Sequence, residues 1–483
     1  MEEDPRPSWG QKCSPYCLLP QRVTCALMGF LAVLFAFTNR ISMSYAITRL
    51  VIPVNRTEGN DTDSKFEEVC PKEEVEESKA ASTGTYDWSE QLQGYILSSF
   101  YIGYLISQVP GGILADKIGY KWVLGLSVFI SGLCTVISPI TITVGGAYAL
   151  IVVRIIMGLS QGPIFPAMTV MLSVWVPARE RGTLGTLCYS GSTVGIIVSN
   201  AVSGVLLFSL AWPWTFYFFG SLSIIWFVVF VLVCYEHPAT HPFISLKERE
   251  YLNSTIVTLK KEKPPIPWKP MLLSMVMLSV LISQLGHDWG YYVMITCLPK
   301  YMSDVLQFSI RSNGLYTALP YVAMWIATIL SGLAADWIIR TGKMSMTNER
   351  KLATFVAAVG PGLFMVVASY AGCNKLLVVG LLILCMFTMG PYYAGQKLSA
   401  IDLSPCYSGT IMAIANGLGS VSGIISPSIV GAMTPNATMN EWRVVFWVSF
   451  AIITFSGVAF AIWGSGDVQK YDPTYKEPET EQK

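Results

Sequence analysis

Five ionisable residues stand inside or beside long apolar runs of this chain, where a charge is costly to keep. They are Arg40, Arg154, His287, Asp288 and Lys397. An ionised side chain at the centre of a bilayer costs about 2.5–3.5 kcal/mol on insertion scales, so a charge found there is a candidate for function. Three of the five are arginine or lysine. Their positive field would attract anions, which makes anion binding the chemistry that they predict.

Arg40 lies near the middle of the first apolar run and is the strongest candidate for contact with a substrate. A guanidinium group donates two parallel hydrogen bonds, which suits a carboxylate or a phosphate. The alternative is an arginine that extends to the membrane interface. Lys397 leaves the same alternatives open. It is a candidate ligand if it points inward, but we favour a side chain that snorkels outward.

The adjacent residues His287 and Asp288 form a second candidate site. The imidazole is a weaker cation than a guanidinium, and the carboxylate could neutralise an arginine or take part in cation coupling. A local contact between the two side chains near the outer helix end explains the pair equally well, and both interpretations stay open.

Twelve predominantly apolar runs must position these residues, and each is about as long as a helix that crosses a bilayer. They begin near Val23, Leu92, Trp122, Gly145, Thr183, Thr215, Met271, Leu315, Lys351, Leu376, Ser408 and Val444. The composition agrees, since 52% of the 483 residues are hydrophobic and only 13% are charged, compared with about 25% charged in soluble domains. We predict an all-α, polytopic membrane protein with twelve transmembrane helices.

Two six-helix halves, 23–235 and 271–463, are expected on either side of a charged central loop, 236–270. Residues 1–22 and 464–483 form the terminal tails. Lysine and arginine concentrate in the even-numbered connections and in the central loop, which predicts that these segments and both termini face the cytosol.

The loop 53–91 is acidic and is predicted on the opposite, extracellular or luminal face. Three glycosylation acceptors share that face, at Asn55, Asn60 and Asn436. Cys70 in this loop and Cys373 between the ninth and tenth helices would also meet there, under oxidising conditions. We therefore predict a disulfide bond between these two cysteines.

A short motif occurs at the matching place in each half. The first copy contains Gly112, Asp116, Lys117 and Lys121, and the second contains Gly332, Asp336 and Arg340. Six spans separate the copies, so the halves are expected to be repeats with the binding site between them, as in many transporters. An ordinary charged turn between helices is the alternative, but the repetition at matching places favours a function for the motif.

This motif resembles the loop motif of the major facilitator superfamily, in which an aspartate and bases latch the cytosolic helix ends together. Other blocks narrow the resemblance, among them Tyr86-Asp87-Trp88, Gln108-Val109-Pro110-Gly111-Gly112, Phe216-Tyr217-Phe218-Phe219-Gly220 and Asp402-Leu403-Ser404-Pro405. The sequence is similar over nearly its whole length to solute carrier family 17. That family contains sialin, the vesicular glutamate and nucleotide transporters, and the type I sodium–phosphate cotransporters.

The resemblance implies roles for several residues. Arg40 and Arg154 match family arginines on helices 1 and 4, the first implicated in binding the anionic substrate. Tyr292 matches a retained aromatic residue on helix 7. His287 stands where vesicular glutamate transporters carry another substrate-binding arginine, and Asp402 is expected to cap the cytosolic end of helix 10.

The sequence also departs from the family pattern. Met157 and Gln161 stand where sialin-like members have glutamates that are linked to proton coupling, and neither side chain can titrate. The coupling candidates of this sequence are Gln161, which occupies one of those two positions, and the carboxylate Asp288. Lys397 replaces a small polar residue. Because the sialin carboxylates are missing, sodium is the expected coupling ion.

The expected function is alternating-access transport of inorganic phosphate or an organic anion, as a sodium-coupled symporter. Proton-coupled transport, potential-driven transport and a transporter-like nutrient sensor are the alternatives. No enzyme is expected, because neither a nucleophile with its base nor a metal-ligand set is evident. No cofactor is expected beyond a co-transported Na⁺ or H⁺. With a net charge of +1, nothing suggests nucleic acid as a partner. We expect a monomer, more at the cell surface than in an organelle.

Overall fold

The computed structural model describes most of the chain. The described residues are 19–50, 86–88, 90–256, 265–306, 310–434 and 438–475. Asn55, Asn60, Cys70 and Asn436 lie outside them, so the three glycosylation sites stay predictions.

The N-terminal half consists of six helices, of which one crosses twice. They are α1 (Gln21–Leu50), α2 (Glu90–Ile118), α3 (Tyr120–Gln161), α4 (Ile164–Trp175), α5 (Arg181–Ser209) and α6 (Pro213–Val233). At 42 residues, α3 is twice as long as one crossing requires. It turns back at Gly146, whose φ of 62° favours glycine. After Gly162 and Pro163, α4 continues the second crossing.

The remaining helices form the central segment and the C-terminal half. They are α7 (Leu246–Thr255), α8 (Trp268–Leu272), α9 (Met275–Asp304), α10 (Ile310–Arg340), α11 (Met346–Tyr370), α12 (Lys375–Met389), α13 (Gln396–Leu403), α14 (Ser408–Met433) and α15 (Met439–Trp463). A 3₁₀ turn, Gly390–Tyr393, interrupts the tenth crossing between α12 and α13.

Eight stretches among the described residues are long and apolar enough to cross a membrane. One of them, Tyr120–Trp175, crosses twice, and α2, α5 and α9 supply three further crossings. Of these three helices, α2 and α5 pack against the other half, and α9 lines a cavity between the halves. The prediction of an all-α fold with twelve transmembrane helices is therefore confirmed.

Two pairs of helices make the most extensive contacts between the halves, α2 with α14 and α5 with α10. Each crossing is close because glycines face each other. A Cβ atom on Gly112 would lie 2.6 Å from the carbonyl oxygen of Gly409, and one on Gly332 would lie 2.6 Å from that of Gly182. Both motif glycines are thus needed for close backbone approach.

The motif aspartates reach across the same two crossings. Asp116 accepts hydrogen bonds from the backbone N–H groups of Gly409 (3.3 Å) and Thr410 (2.7 Å) at the start of α14. Asp336 accepts from Gly182 (2.9 Å) and Thr183 (2.7 Å) at the start of α5. Each carboxylate therefore caps the positive end of a helix in the other half. We call this end of the bundle the latch end.

The motif bases do not share that role. Lys117 is exposed, and the Lys121 ammonium lies 4.4 Å from the ring centre of Tyr235 in its own half. Arg340 does cross the interface, since its Nε donates to the carbonyl oxygen of Arg179 (3.2 Å). The aspartates and glycines carry most of the contact between the motifs and the opposite half.

The sequence led us to expect that Asp402 caps a helix end, but the structure shows a different role. Its carboxylate is fully buried and forms two ion pairs, with Arg181 Nη1 (2.5 Å) and Arg350 Nε (2.9 Å). Arg350 also pairs with Glu349 (2.7 Å) and donates to the carbonyl oxygen of Ala394 (2.6 Å). Because Arg181 belongs to α5 and Asp402 to α13, this cluster is a further connection between the halves at the latch end.

The C-terminal segment folds back on the latch end. Gln469 N–H donates to the carbonyl oxygen of Leu403 (2.9 Å), and the Asp472 carboxylate accepts from Cys406 N–H (3.1 Å) and from the Ser404 hydroxyl. In the central segment, α7 begins after Ser245, whose side chain accepts a hydrogen bond from Glu248 N–H (3.2 Å).

Cys373 is disulfide-bonded, whereas its predicted partner Cys70 lies outside the described residues. We expect peptide mapping of unreduced protein to recover a Cys70–Cys373 cross-link, and either single serine variant to abolish it. A different partner for Cys373, or complete labelling of both thiols before reduction, would contradict the pairing.

Candidate functional site

A cavity of about 50 Å³ lies between the two halves. The N-terminal half contributes side chains from α1, α2, α4 and α5, and the C-terminal half contributes from α9, the Gly390–Tyr393 turn, α13 and α14. The charged lining residues are Arg40, Asp288 and Lys397, and the other polar groups include His287, Gln284, Asn416 and five tyrosines. The structure thus brings four of the sequence-predicted site residues together with Tyr292.

Arg40 is surrounded by aromatic rings. Its guanidinium carbon lies 4.3 Å from the ring centre of Phe100, 4.7 Å from Tyr104, 5.0 Å from Phe37 and 5.3 Å from Tyr101. In the part of the chain that the structure describes, Arg40 has no ion-pair partner, and its buried Nε makes no hydrogen bond. Ring faces stabilise the cation without neutralising it, so its charge is available to an anion.

Lys397 points into the cavity from the opposite half, so the expectation that it snorkels outward is wrong. It is only 5% exposed. Its ammonium donates to Asn416 Oδ1 (2.5 Å) and Gln284 Oε1 (3.4 Å) and lies 5.2 Å from the ring centre of Phe165. The 3₁₀ turn Gly390–Tyr393 changes the direction of the chain before α13, which carries Lys397. A regular helix would not make this change of direction. The cavity therefore holds one cation from each half.

Asp288 is the one carboxylate among the lining residues that the structure describes. Its Oδ2 accepts a hydrogen bond from Gln284 Nε2 (2.8 Å), one helical turn earlier on α9. The Gln284 oxygen in turn accepts from the Tyr392 hydroxyl (2.7 Å) and from Lys397. Gln284 therefore links the carboxylate to the ammonium through a single amide.

His287 does not make the local contact with Asp288 that we considered from the sequence. Its ring stacks on Tyr392, with centroids 3.4 Å apart and planes 2° apart. Its buried Nδ1 has no hydrogen-bond partner among the described residues. Tyr292 lines the same cavity and packs edge-on to Tyr101 across the interface (6.3 Å).

Arg154 and Gln161 are not among the cavity-lining residues. Arg154 is buried, and it donates to the carbonyl oxygens of Ile96 (2.9 Å) and Leu97 (3.3 Å) on α2. Gln161 Nε2 donates to Ser131 Oγ (2.7 Å) and to the carbonyl oxygen of Ala36 (3.0 Å). Both side chains tie helices of the N-terminal half together, and this geometry supports a structural role for each.

Replacing Arg154 with glutamine is accordingly expected to lower stability more than substrate affinity. The two hydrogen bonds from a charged donor contribute about 1.5–3 kcal/mol each, so thermal unfolding in detergent should occur several degrees lower. The KM of the folded fraction should stay close to the wild-type value. A rise in KM as large as that caused by Arg40→Ala would instead place Arg154 at the substrate.

Sequence reasoning did not identify Gln284, Asn416 or Tyr392, which hold Asp288 and Lys397 in place. One signal was present. Gln284 lies four residues before Asp288 and so on the same helical face. The contacts of Asn416 and Tyr392 join different helices, and no spacing within one helix encodes them.

The sequence model of the Major Facilitator Superfamily matches residues 25–427. "Putative inorganic phosphate cotransporter" of Drosophila ananassae is 35% identical over 92% of this chain and 93% of its own length. Human sialin is 32% identical, over 95% and 92%. Bovine vesicular glutamate transporter 1 is 30% identical, over 94% and 78%.

Solved structures share the fold at low sequence identity. The proton:xylose symporter XylE matches with a TM-score of 0.66 and 14% identity, over 93% of this chain and 97% of that chain. A bacterial homologue of the iron transporter ferroportin in its outward-facing state matches with 0.61 and 12%, over 91% and 98%. Fold, coverage and identity agree with the sequence resemblance. The chain is a multi-pass membrane transporter that belongs to the major facilitator superfamily and, within it, to solute carrier family 17.

Proposed function

We propose that this transporter moves a small anion, inorganic phosphate or an organic anion, by alternating access. The carrying observation is the pair of cations, Arg40 and Lys397, that face one cavity from opposite halves with a single carboxylate nearby. An anion between them would bind to both halves at once. Its binding would therefore favour a state in which the halves close around it. Relatives named for phosphate, and for glutamate, support an anionic substrate.

The latch end supplies the gate in this proposal. Asp116, Asp336 and the Arg181–Asp402 ion pair join the halves there. These contacts must break before the cavity can open on that side. We place the latch end, with both termini, in the cytosol because lysine and arginine concentrate in its connections. We place the transporter at the cell surface, with the 53–91 loop outside.

Sodium is the proposed coupling ion. A monomer is sufficient for symport because Arg40 and Lys397, the two side chains that would bind the anion, belong to one polypeptide. Proton coupling and potential-driven movement without a coupled cation predict different driving forces, so they can be separated by experiment.

The test is uptake of labelled phosphate and a panel of organic anions into proteoliposomes. A sodium gradient, a proton gradient and a membrane potential are imposed separately, with protein-free liposomes as the control. Saturable uptake of an anion supports the proposal, and the effective gradient names the coupling. If correctly folded protein moved no anion under any gradient, the transport proposal would fail, and ligand-dependent signalling would then be measured to test the sensor alternative.

A further inference from the structure

We propose that Asp288 is the binding site of the coupling cation, and that Gln284 and Lys397 couple its occupancy to that of the anion. The cation is monovalent, either sodium or a proton. This inference rests on the proposed anion transport, and it goes further by naming the residue through which a cation gradient drives uptake.

The charges in the cavity are arranged so that Asp288 and Lys397 share one amide side chain. Asp288 and Lys397 do not form a direct ion pair, since none is present within 4.0 Å in the described structure. They share Gln284, whose amide nitrogen donates to Asp288 (2.8 Å) while its oxygen accepts from Lys397 (3.4 Å). The ammonium thus offsets the carboxylate through one intervening amide, and Arg40 is left as the uncompensated charge.

Binding of an anion would change the electrostatic environment of Asp288. An anion bound by Arg40 and Lys397 would neutralise part of the positive charge that stabilises the Asp288 carboxylate. A carboxylate left in a buried site without a compensating positive charge is strongly unfavourable. Binding of a cation at Asp288 removes that cost. Anion and cation must therefore raise each other's affinity, because coupling between two sites is reciprocal.

Asp288 is the one acidic side chain among the described residues that line the cavity. The titratable or charged groups that face it are Arg40 on α1, Tyr104 on α2, His287 and Tyr292 on α9, Tyr392 and Tyr393 in the 3₁₀ turn, and Lys397 on α13. Arg40 and Lys397 are the fixed cations of this set. An anion bound to both leaves the carboxylate as the place where added positive charge is most favourable.

Helix α14 is shaped to accept the carboxylate. A Cβ atom on Gly419 would overlap Asp288 Oδ2 and would lie 3.0 Å from both Asp288 Cγ and Gln284 Cγ. The glycine therefore gives the side-chain pair its room. Gly419→Ala should displace the carboxylate while keeping its charge, which gives a second way to disturb the site.

The experiment compares wild type with Asp288→Asn in proteoliposomes. The matched control is Glu250→Gln, which neutralises an exposed carboxylate on α7. Two activities are measured: exchange of internal for external labelled phosphate or organic anion without any gradient, and accumulation under a sodium or a proton gradient. Asp288→Asn should keep exchange and lose accumulation, and the control should keep both.

The affinity arm uses anion binding in detergent with and without the cation that drives wild-type uptake. That cation should raise the anion affinity of wild type about 5- to 150-fold, the usual range for coupled sites. Asp288→Asn should show less than about a twofold effect, and Gly419→Ala should need a higher cation concentration for the same gain.

Failure of this inference differs from failure of the proposed function. If Asp288→Asn still accumulated anion under the cation gradient, the cation would bind elsewhere. If the folded variant lost exchange as well, Asp288 would belong to the anion site, and the inference would be wrong. Wild-type uptake driven by membrane potential alone would also overturn it while leaving anion transport intact. Absence of any wild-type transport would instead remove the proposed function.

Discussion

Arg40→Ala is expected to reduce anion uptake about 30-fold or more under every driving gradient. Truncating one partner of a buried, hydrogen-bonded charge pair costs about 2–5 kcal/mol, and each 1.4 kcal/mol is a factor of ten. The anion would then face the N-terminal half without a cation. The measurement is initial uptake at several substrate concentrations, normalised to the amount of folded protein.

The fold should tolerate this substitution, which makes the test specific. Arg40 is held by four aromatic rings and by no carboxylate in the described structure. Its removal therefore leaves no opposite charge buried without a partner. A variant that elutes as a monodisperse peak but does not transport would support the proposed site.

Two further variants define what Arg40 contributes. Arg40→Lys keeps the charge but loses the planar fork of donors, so we expect uptake between wild type and Arg40→Ala. Lys247→Ala removes an exposed cation from α7 and should have no effect. Wild-type uptake by Arg40→Ala would exclude this residue from the substrate site.

The positions of the membrane helices could be predicted from the sequence, but the direction in which individual side chains point could not. Long apolar runs mark crossings because lipid leaves no polar partner for an exposed backbone. The repeated motif also marks matched places in the halves, since its aspartates and glycines act where helices cross. Even the sharp turn of α3 at Gly146 falls beside the predicted start of the fourth run, at Gly145.

Lys397 and Arg154 show where that reasoning ends. Their depth in the membrane could be read from the runs, but which neighbour lies within reach depends on helix packing. Lys397 turns inward after the 3₁₀ break of its helix, and Arg154 finds two backbone acceptors on α2. Asp402 was misjudged for the same reason, because its arginine partners belong to helices that are distant in sequence.

The cluster around Asp402 leads to the second large effect. Asp402→Asn is expected to destabilise the protein by about 3–5 kcal/mol, because removing one partner of a buried ion pair leaves the other charge uncompensated. Arg181 would lose the one ion-pair partner that it has in the described structure, whereas the fully buried Arg350 would keep its pair with Glu349. Thermal unfolding in detergent measures this loss. Glu180→Gln is the matched control, since it breaks the partly exposed Arg22–Glu180 pair within one half.

The same substitution should also shift the conformational balance, and Arg181→Gln separates that effect from stability. Of the two ion pairs that Asp402 forms, the one with Arg181 joins the halves. The pair with Arg350 lies within the C-terminal half and persists when the latch end opens. Arg181→Gln should therefore favour opening with a smaller loss of stability. Opening is measured as thiol labelling of a cysteine introduced at Ser173, which lines a pocket of about 260 Å³ at the latch end. Faster labelling in Arg181→Gln and Asp402→Asn than in Glu180→Gln is the expected result. Equal rates in all three would mean that this ion pair does not hold the latch end closed.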